Sequence, residues 1–279
     1  MKDSNTVNLK QYMMPKNNSG HKKISTENKT SWNRVSDWYD TLLEDDTDTY
    51  QAQVIAPNLS RLMQIKKGMT VVDIACGQGY FSRIFHASGA EVFGADIASG
   101  LITTAKARSE KTISYSVAPS HKMPMIKDVS ADMVTIILAI QNIEKVAETI
   151  LEAKRILKPG GKMYIVLNHP AFRIPQASDW IYDEARDIQS RVMDGYMNER
   201  KINIDMTPGE SRNSKKEFTV SFHRPLQWYM KVFAKEGFVI SRLEEWISHK
   251  TSGSGPRKQV EDKARKEFPV FLCLELQKN

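Results

Sequence analysis

The 279-residue sequence predicts an α/β chain built on a doubly wound, mostly parallel sheet. Short β-branched runs recur at regular intervals from Met69 onward. Segments with a helical apolar period lie between them, and glycine or proline closes the junctions. Strands alternating with helices mean parallel βαβ units.

The elements follow in order. Trp32, Val35, Trp38, Tyr39, Leu42 and Leu43 fall at helical spacing, and Val54, Ile55, Leu59, Leu62, Met63 and Ile65 continue it. A helical N-terminal extension over 31–67 is therefore expected in front of the sheet. MTVVDI is the first strand, YFSRIFHAS a helix closed by Gly89, EVFGAD the second strand and SGLITTAKARS the second helix. TISYSV, DMVTIILA and KMYIVLN are further strands. Before the last of these, Val146, Ile150, Ala153 and Leu157 mark one helical face, which KPGG at 158–161 ends. Residues 169–217 read as mixed helical and irregular, and TVSFHRPLQWYMKVFAKEGFVI as helix and then strand. Residues 247–267, with SGSGP inside them, precede a last strand, FPVFLCLEL. Long insertions in a compact domain are usually functional covers, so 169–217 is expected to be a substrate lid.

Composition narrows the function classes. A hydrophobic content of 41% supplies a full core. The longest apolar run, MVTIILAI, is far short of the roughly 20 residues that span a bilayer. The N-terminus has no apolar stretch of the secretory kind, and only Cys76 and Cys273 occur, so a cytoplasmic protein without disulfides is expected. The net charge of +7 invites a nucleic-acid reading, but residues 1–30 alone carry +4, in a polar leader expected to be solvated and flexible. The 169–217 segment carries −1, whereas a segment gripping RNA needs a positive surplus to displace counterions. Nucleic acid is not the expected partner. No metal-ligand spacing appears either.

The chemistry lies in VVDIACGQG at 71–79, where a strand ends in Asp73 and crosses Gly77 and Gly79 into a helix. Ligands of open α/β sheets sit outside the carboxyl ends of the strands. A pyrophosphate there would be repelled by Asp73 and an ammonium attracted. The glycines let the backbone approach an uncharged part of the same ligand. The second strand ends in Asp96, nineteen residues beyond Gly77, a spacing suited to a carboxylate that accepts from ribose hydroxyls. S-adenosylmethionine, with an ammonium, a sulfonium and a ribose, fits this turn where NAD does not. Asp73 as a helix N-cap is the competing reading.

WYD at 38–40, VVDIACGQG at 71–79, GADI at 94–97, SVAPSHKMP at 116–124 and LKPGGKMYIV at 157–166 carry a family resemblance. Over these residues, about half the chain, the sequence resembles a class I S-adenosylmethionine-dependent methyltransferase, in the small-molecule branch that includes ubiquinone and menaquinone biosynthesis enzymes. The resemblance implies a Rossmann-like sheet with an antiparallel last strand. It implies that Asp73, Ala75, Gly77 and Gly79 line the methionine and ribose, that Asp96 meets the ribose, and that Ile97 and Met123 flank the adenine. The Ser120 backbone would meet the adenine edge, Leu138 to Gln141 would floor the sulfonium, and Tyr39 would cover the cofactor or belong to the core. Two positions depart from the family pattern. Ala75 replaces its first glycine, and Pro119 stands where many relatives carry an aspartate for the adenine amino group, leaving that bond to His121 or Ser120.

Methyl transfer is an in-line displacement that needs an acceptor atom about 3–3.5 Å from the methyl carbon and a dry site, so a catalytic side chain is optional. Gln141 and Asn142 follow the fourth strand, where the acceptor approaches. His169 and His223 are the candidate bases. Arg173, Trp180, Tyr182, Tyr196 and Arg224 are candidates for the acceptor pocket. Cys76 reads as a packed residue. A small-molecule methyltransferase is the first expectation; a tRNA or protein methyltransferase and a cofactor-binding protein without catalysis are the alternatives.

Overall fold

The computed structural model describes residue 32, residues 48–206 and residues 216–278. The leader, and the helical spacing expected through Trp38 and Tyr39, lie outside the described residues. A π-helical turn, Gln51–Ile55, runs into α1 (Ala56–Met63), with proline in its first turn, where no amide donor is needed. The alternating part follows as β1 (Thr70–Ile74), α2 (Tyr80–Ala87), β2 (Glu91–Asp96), α3 (Ser99–Arg108), β3 (Ser114–Val117), β4 (Ala131–Ile137), α4 (Val146–Ile156) and β5 (Leu157–Asn168). Beyond it lie β6 (Ser178–Asp183), β7 (Ile188–Met193), β8 (Arg200–Asp205), β9 (Phe218–His223), α5 (Leu226–Lys235), β10 (Phe238–Trp246), α6 (Lys258–Glu267) and β11 (Phe271–Lys278).

Seven strands form one sheet in the order β10-β11-β5-β4-β1-β2-β3. β1 pairs parallel with β2 and β4, while β11 runs antiparallel between β5 and β10. The chain winds outward from β1 to β3, then returns to β4 on the other side. The carboxyl ends of β1 and β4 therefore flank the switch point, where such sheets leave a crevice.

Alternation within each strand feeds two cores. Val72, Ile74 and Ile136 pack with Ile150 of α4 and Phe233 of α5. Val71 and Tyr164 pack with Leu59 of α1, Phe85 of α2 and Ile102 of α3 on the opposite face. Among the described residues, no helix is long and apolar enough to cross a membrane.

The structure corrects the sequence reading beyond β5. Residues 169–217 contain no described helix; β6 and β7 form a hairpin, and β8 pairs with β9. TVSFH thus belongs to a strand, and the helix starts at Leu226, after Pro225 at its N-cap. These strands lie outside the main sheet and are only half covered, so their alternation is written in charged and aromatic residues. α6 escaped for the same reason: KQVEDKARKE buries only Ala264. Leu157 opens β5 instead of closing α4.

Phe233 is fully buried in the α4–α5 core, whereas Leu151 is 53% exposed on α4. Phe233→Ala is expected to cost about 3–5 kcal/mol and Leu151→Ala less than about 1 kcal/mol, read from urea unfolding midpoints. Equal losses would overturn this placement of the core.

Candidate active site

The loop after β1 is shaped by backbone conformation first. Ala75, Gly77 and Gly79 all have positive φ, and so does Leu138 after β4. At Gly79 an added Cβ would overlap the Tyr115 hydroxyl, so only glycine fits there. Gly79 is also the N-cap of α2, which overturns the reading of Asp73 as that cap.

Asp73 is 2% exposed, and its two oxygens accept from Ser82 Oγ at 2.6 Å and Thr135 Oγ1 at 2.8 Å. It joins β1 to α2 and to β4. Burial nevertheless dominates these hydroxyls and, with Asp96 nearby, pushes its pKa up to about 6. Among the described residues no cation pairs with it. Asp96 accepts from Gly77 N–H at 3.0 Å and Ala98 N–H at 2.8 Å, and burial raises its pKa against those bonds. One carboxylate thus fixes the loops after β1 and β2 together.

A cavity of about 330 Å³ opens on these loops, within the roughly 300–1,000 Å³ range of small-molecule sites. Its walls include Ala75, Gly77, Asp96, Ile97, Ser120 and Leu138 from the sequence expectations. Trp32, Pro119, His121 and the stretch Asn142 to Lys145 complete it. A smaller pocket continues past Asp73, Gln78, Tyr80 and Phe81. Into it faces Gln78, 1% exposed, whose Nε2 has no hydrogen-bond partner.

The other expected residues fall elsewhere. Met123 is fully buried in the α4-side core and lines neither cavity, because its side chain fills the space beneath the loop that follows β3. Tyr39 lies outside the described residues. Cys76 donates weakly to Gly77 O, and burial holds its thiol well above the usual range, so it stays protonated. His169 is not a free base. Its Nδ1 accepts from the Ala171 and Phe172 amides, so Nε2 carries the proton and donates to Glu245 at 2.7 Å. This histidine anchors the turn after β5 and touches none of the cavities.

His223 and Gln141 do come together, in a third pocket, with Asn168, Arg173, Arg224 and Tyr229. His223 Nε2 donates to Tyr196 O at 2.8 Å, leaving Nδ1 as the unprotonated nitrogen, and burial lowers its pKa. Gln141 Nε2 donates to Leu138 O, and its Oε1 is buried without a partner. Arg224 is 5% exposed, held by the carbonyls of Ile143 and Glu144 between the rings of Phe222 and Trp228. Tyr182 and Tyr196 line no pocket; their hydroxyls bind Asp187 and the Leu226 amide. The sequence reading missed Gln78, although it sits inside the glycine motif, and carried no signal for Ile143 to Lys145 as a wall.

A carboxylate at the end of β1, a second at the end of β2 and a crevice between them define a Rossmann-like nucleoside-binding domain of the class I methyltransferase type. Residues 72–165 match the methyltransferase domain family. Over that third of the chain the sequence is similar to methyltransferase domains, and S-adenosylmethionine is the cofactor that fits the site. Its relatives include a demethylmenaquinone methyltransferase of Renibacterium salmoninarum, 30% identical over 38% of this chain and 44% of that protein. A 2-phytyl-1,4-naphtoquinone methyltransferase of Nostoc punctiforme is 29% identical over 52% of this chain and 66% of its own length. The matched stretch thus spans less than half of the first relative and about two thirds of the second. An S-adenosylmethionine dependent methyltransferase from Mesorhizobium loti shares the fold, with a TM-score of 0.62 at 24% identity over 80% of this chain and 96% of that one.

The donor chemistry fits the residues present. A buried carboxylate without a cation and the orphaned Gln78 Nε2 share one pocket, complementary to the ammonium and carboxylate of an amino-acid end.

A carboxyl whose folded pKa lies above its unfolded value of 3.8 favours folding when protonated, so this contribution is present below pH 4 and lost as pH rises to about 6. Asp73→Asn removes the loss. The stability difference between variant and wild type, from urea midpoints, is expected to shift by about 3 kcal/mol in the variant's favour between about pH 3 and about pH 7. A pH-independent difference would refute the raised pKa.

Proposed function

We propose that the protein transfers the methyl group of S-adenosylmethionine to a small-molecule acceptor held at the carboxyl edge of the sheet. The observation that carries this reading is the cavity between Asp96 and Leu138, which shares Ala75, Gly77, Ile137 and Leu138 with the pocket at Asp73 and Gln78. When bound, the cofactor supplies an electrophilic methyl on a sulfonium. Asp73 and Gln78 would hold its amino-acid end, Asp96 its ribose hydroxyls, and Ile97 with Pro119 the faces of its adenine. Ile137 and Leu138 line both donor pockets and keep the floor apolar, so that water is excluded from the transfer.

Segment 169–217, with β9, is the proposed cover of the acceptor. Among its described residues Pro170, Arg173 and Pro175 line the pocket, and His223 and Arg224 enter it from the end of β9. His223, neutral with Nδ1 unprotonated, is placed to take a proton from an acidic acceptor. Gln141 Oε1 would orient a donor group on it. The quinones in the relatives' names support a small, flat acceptor, and the absence of a positive surplus in 169–217 speaks against a nucleic acid.

Isothermal titration of the protein with S-adenosylmethionine and with NAD is expected to show binding of the first alone. Asp96→Ala, and the gentler Asp96→Asn, are expected to weaken that binding by tenfold or more. Absence of donor binding to the wild-type protein at millimolar concentration overturns the proposal.

A further inference from the structure

A fourth cavity, of about 170 Å³, lies on the same edge of the sheet and plays no part in holding the donor. It sits where β5 and β10 end and β11 begins, roofed by the β6–β7 hairpin and α6. Arg173, Arg191 and Arg265 converge in it, from three different elements, beside the rings of Phe172, Trp180 and Phe268. Arg173 lines this cavity and the Gln141–His223 pocket alike, so the two are neighbours.

The three guanidiniums are held in place without being neutralised. Arg173 donates to Asn168 Oδ1 at 2.9 Å. Arg191 donates to Phe172 O at 2.9 Å and Ser178 Oγ at 2.6 Å and lies over the Trp180 ring, 5.0 Å from its centroid. Arg265 donates to Ser252 Oγ. Asp179 acts on Arg191 and Asp262 on Arg265 through space, yet among the described residues no carboxylate forms an ion pair with any of the three. Burial lowers the pKa of Arg173 and of Arg191, and the charge of Arg191 lowers that of Arg173 further. Like charges gathered in a half-buried pocket repel, and desolvation adds to the cost, unless an anion joins them. Arginine's planar fork matches an oxyanion in two bonds.

We propose that this pocket binds an oxyanion on the methyl acceptor, so that the acceptor is a flat carboxylate or phosphate whose apolar body lies against Trp180 and Phe268. The assignment rests on the methyltransferase reading and deepens it. From β4, where the methyl is delivered, to β11, beneath the arginines, is two strand spacings, about 10 Å. The acceptor therefore carries its charge about one fused ring system away from the atom that is methylated. The aromatic rings supply the flat wall, and the pairing of Arg191 with Trp180 keeps the guanidinium aimed without consuming its charge.

The probes are 2-naphthoate, 2-naphthyl phosphate and neutral 2-naphthol, titrated calorimetrically into the full chain in the presence of S-adenosylhomocysteine. At least one anion is expected to bind tenfold or more tightly than 2-naphthol, and the tighter of the two identifies the oxyanion. Arg191→Gln and Arg265→Gln, made separately, are expected to reduce that preference to below threefold without weakening 2-naphthol. Arg265 lies on α6, outside both cores, and decides the question if Arg191→Gln fails to fold. Equal affinity of all three probes for the wild type, or a preference that survives in the folded variants, overturns the proposal. The titrations are repeated without S-adenosylhomocysteine: its failure to bind overturns the methyltransferase reading, while an anion preference that persists in its absence and is lost in the variants still supports the oxyanion pocket.

Discussion

The carboxylate of Asp73, buried between Ser82 and Thr135, is the constraint on which the rest of the site depends. It closes β1 onto β4 across the switch point and pulls the start of α2 down onto the sheet. The loop between them then has to turn through three positive-φ positions, and only Gly79 lets α2 start against Tyr115. Two hydroxyls are too little to stabilise a full charge in this position, which is why its pKa rises to about 6. The fold thus spends stability to keep an anion where a cationic ligand end arrives, a common pattern where a binding site overrides local optimisation.

From that point the site extends along one edge of the sheet. β1 and β2 contribute the donor-side carboxylates, β4 leads into Leu138 and Gln141, and β5, β10 and β11 underlie the cavity lined by Arg173, by Arg191 of β7 and by Arg265 of α6. All of these strands except β11 present carboxyl ends here. β11 contributes its amino end, and being antiparallel it lets Phe268, Pro269 and Val270 approach from α6. An antiparallel strand inside a parallel sheet therefore adds a wall that a βαβ crossover does not provide.

Legibility in the sequence followed burial. β1 to β5 and their helices are covered on both sides, so period and punctuation announced them, and Asp73, Gly77, Asp96 and Ile97 could be placed from the strand ends alone, with Ala75 added by the family resemblance. The hairpin layer was misread because Trp180, Tyr182 and Arg191 alternate with Ile181 and Val192, which are exposed, so polarity no longer tracks burial. His169 and Met123 show a different limit. Position after a strand was readable, but the direction of the side chain was not: one turns to Glu245 and the other into the core. Arg265 reaches its cavity from a helix more than sixty residues beyond the hairpin, a contact that only tertiary structure creates.

The balance of charge along the edge bears on which acceptor the crevice would take. At the donor end the buried charge is negative, from Asp73 and Asp96; toward the far end it is positive, from buried Arg224 and the half-buried Arg173, Arg191 and Arg265. A phytyl naphthoquinone has no anionic group with which to meet such a cluster, and leaving guanidiniums desolvated for an uncharged ligand would only weaken binding. A polarised crevice instead orients an elongated ligand: the anionic end is drawn away from Asp73 and toward the arginines, leaving the other end of the ring system beside the methyl. Specificity then comes from where charge is allowed to sit, and the same apolar floor at Ile137 and Leu138 serves whichever ring lies over it.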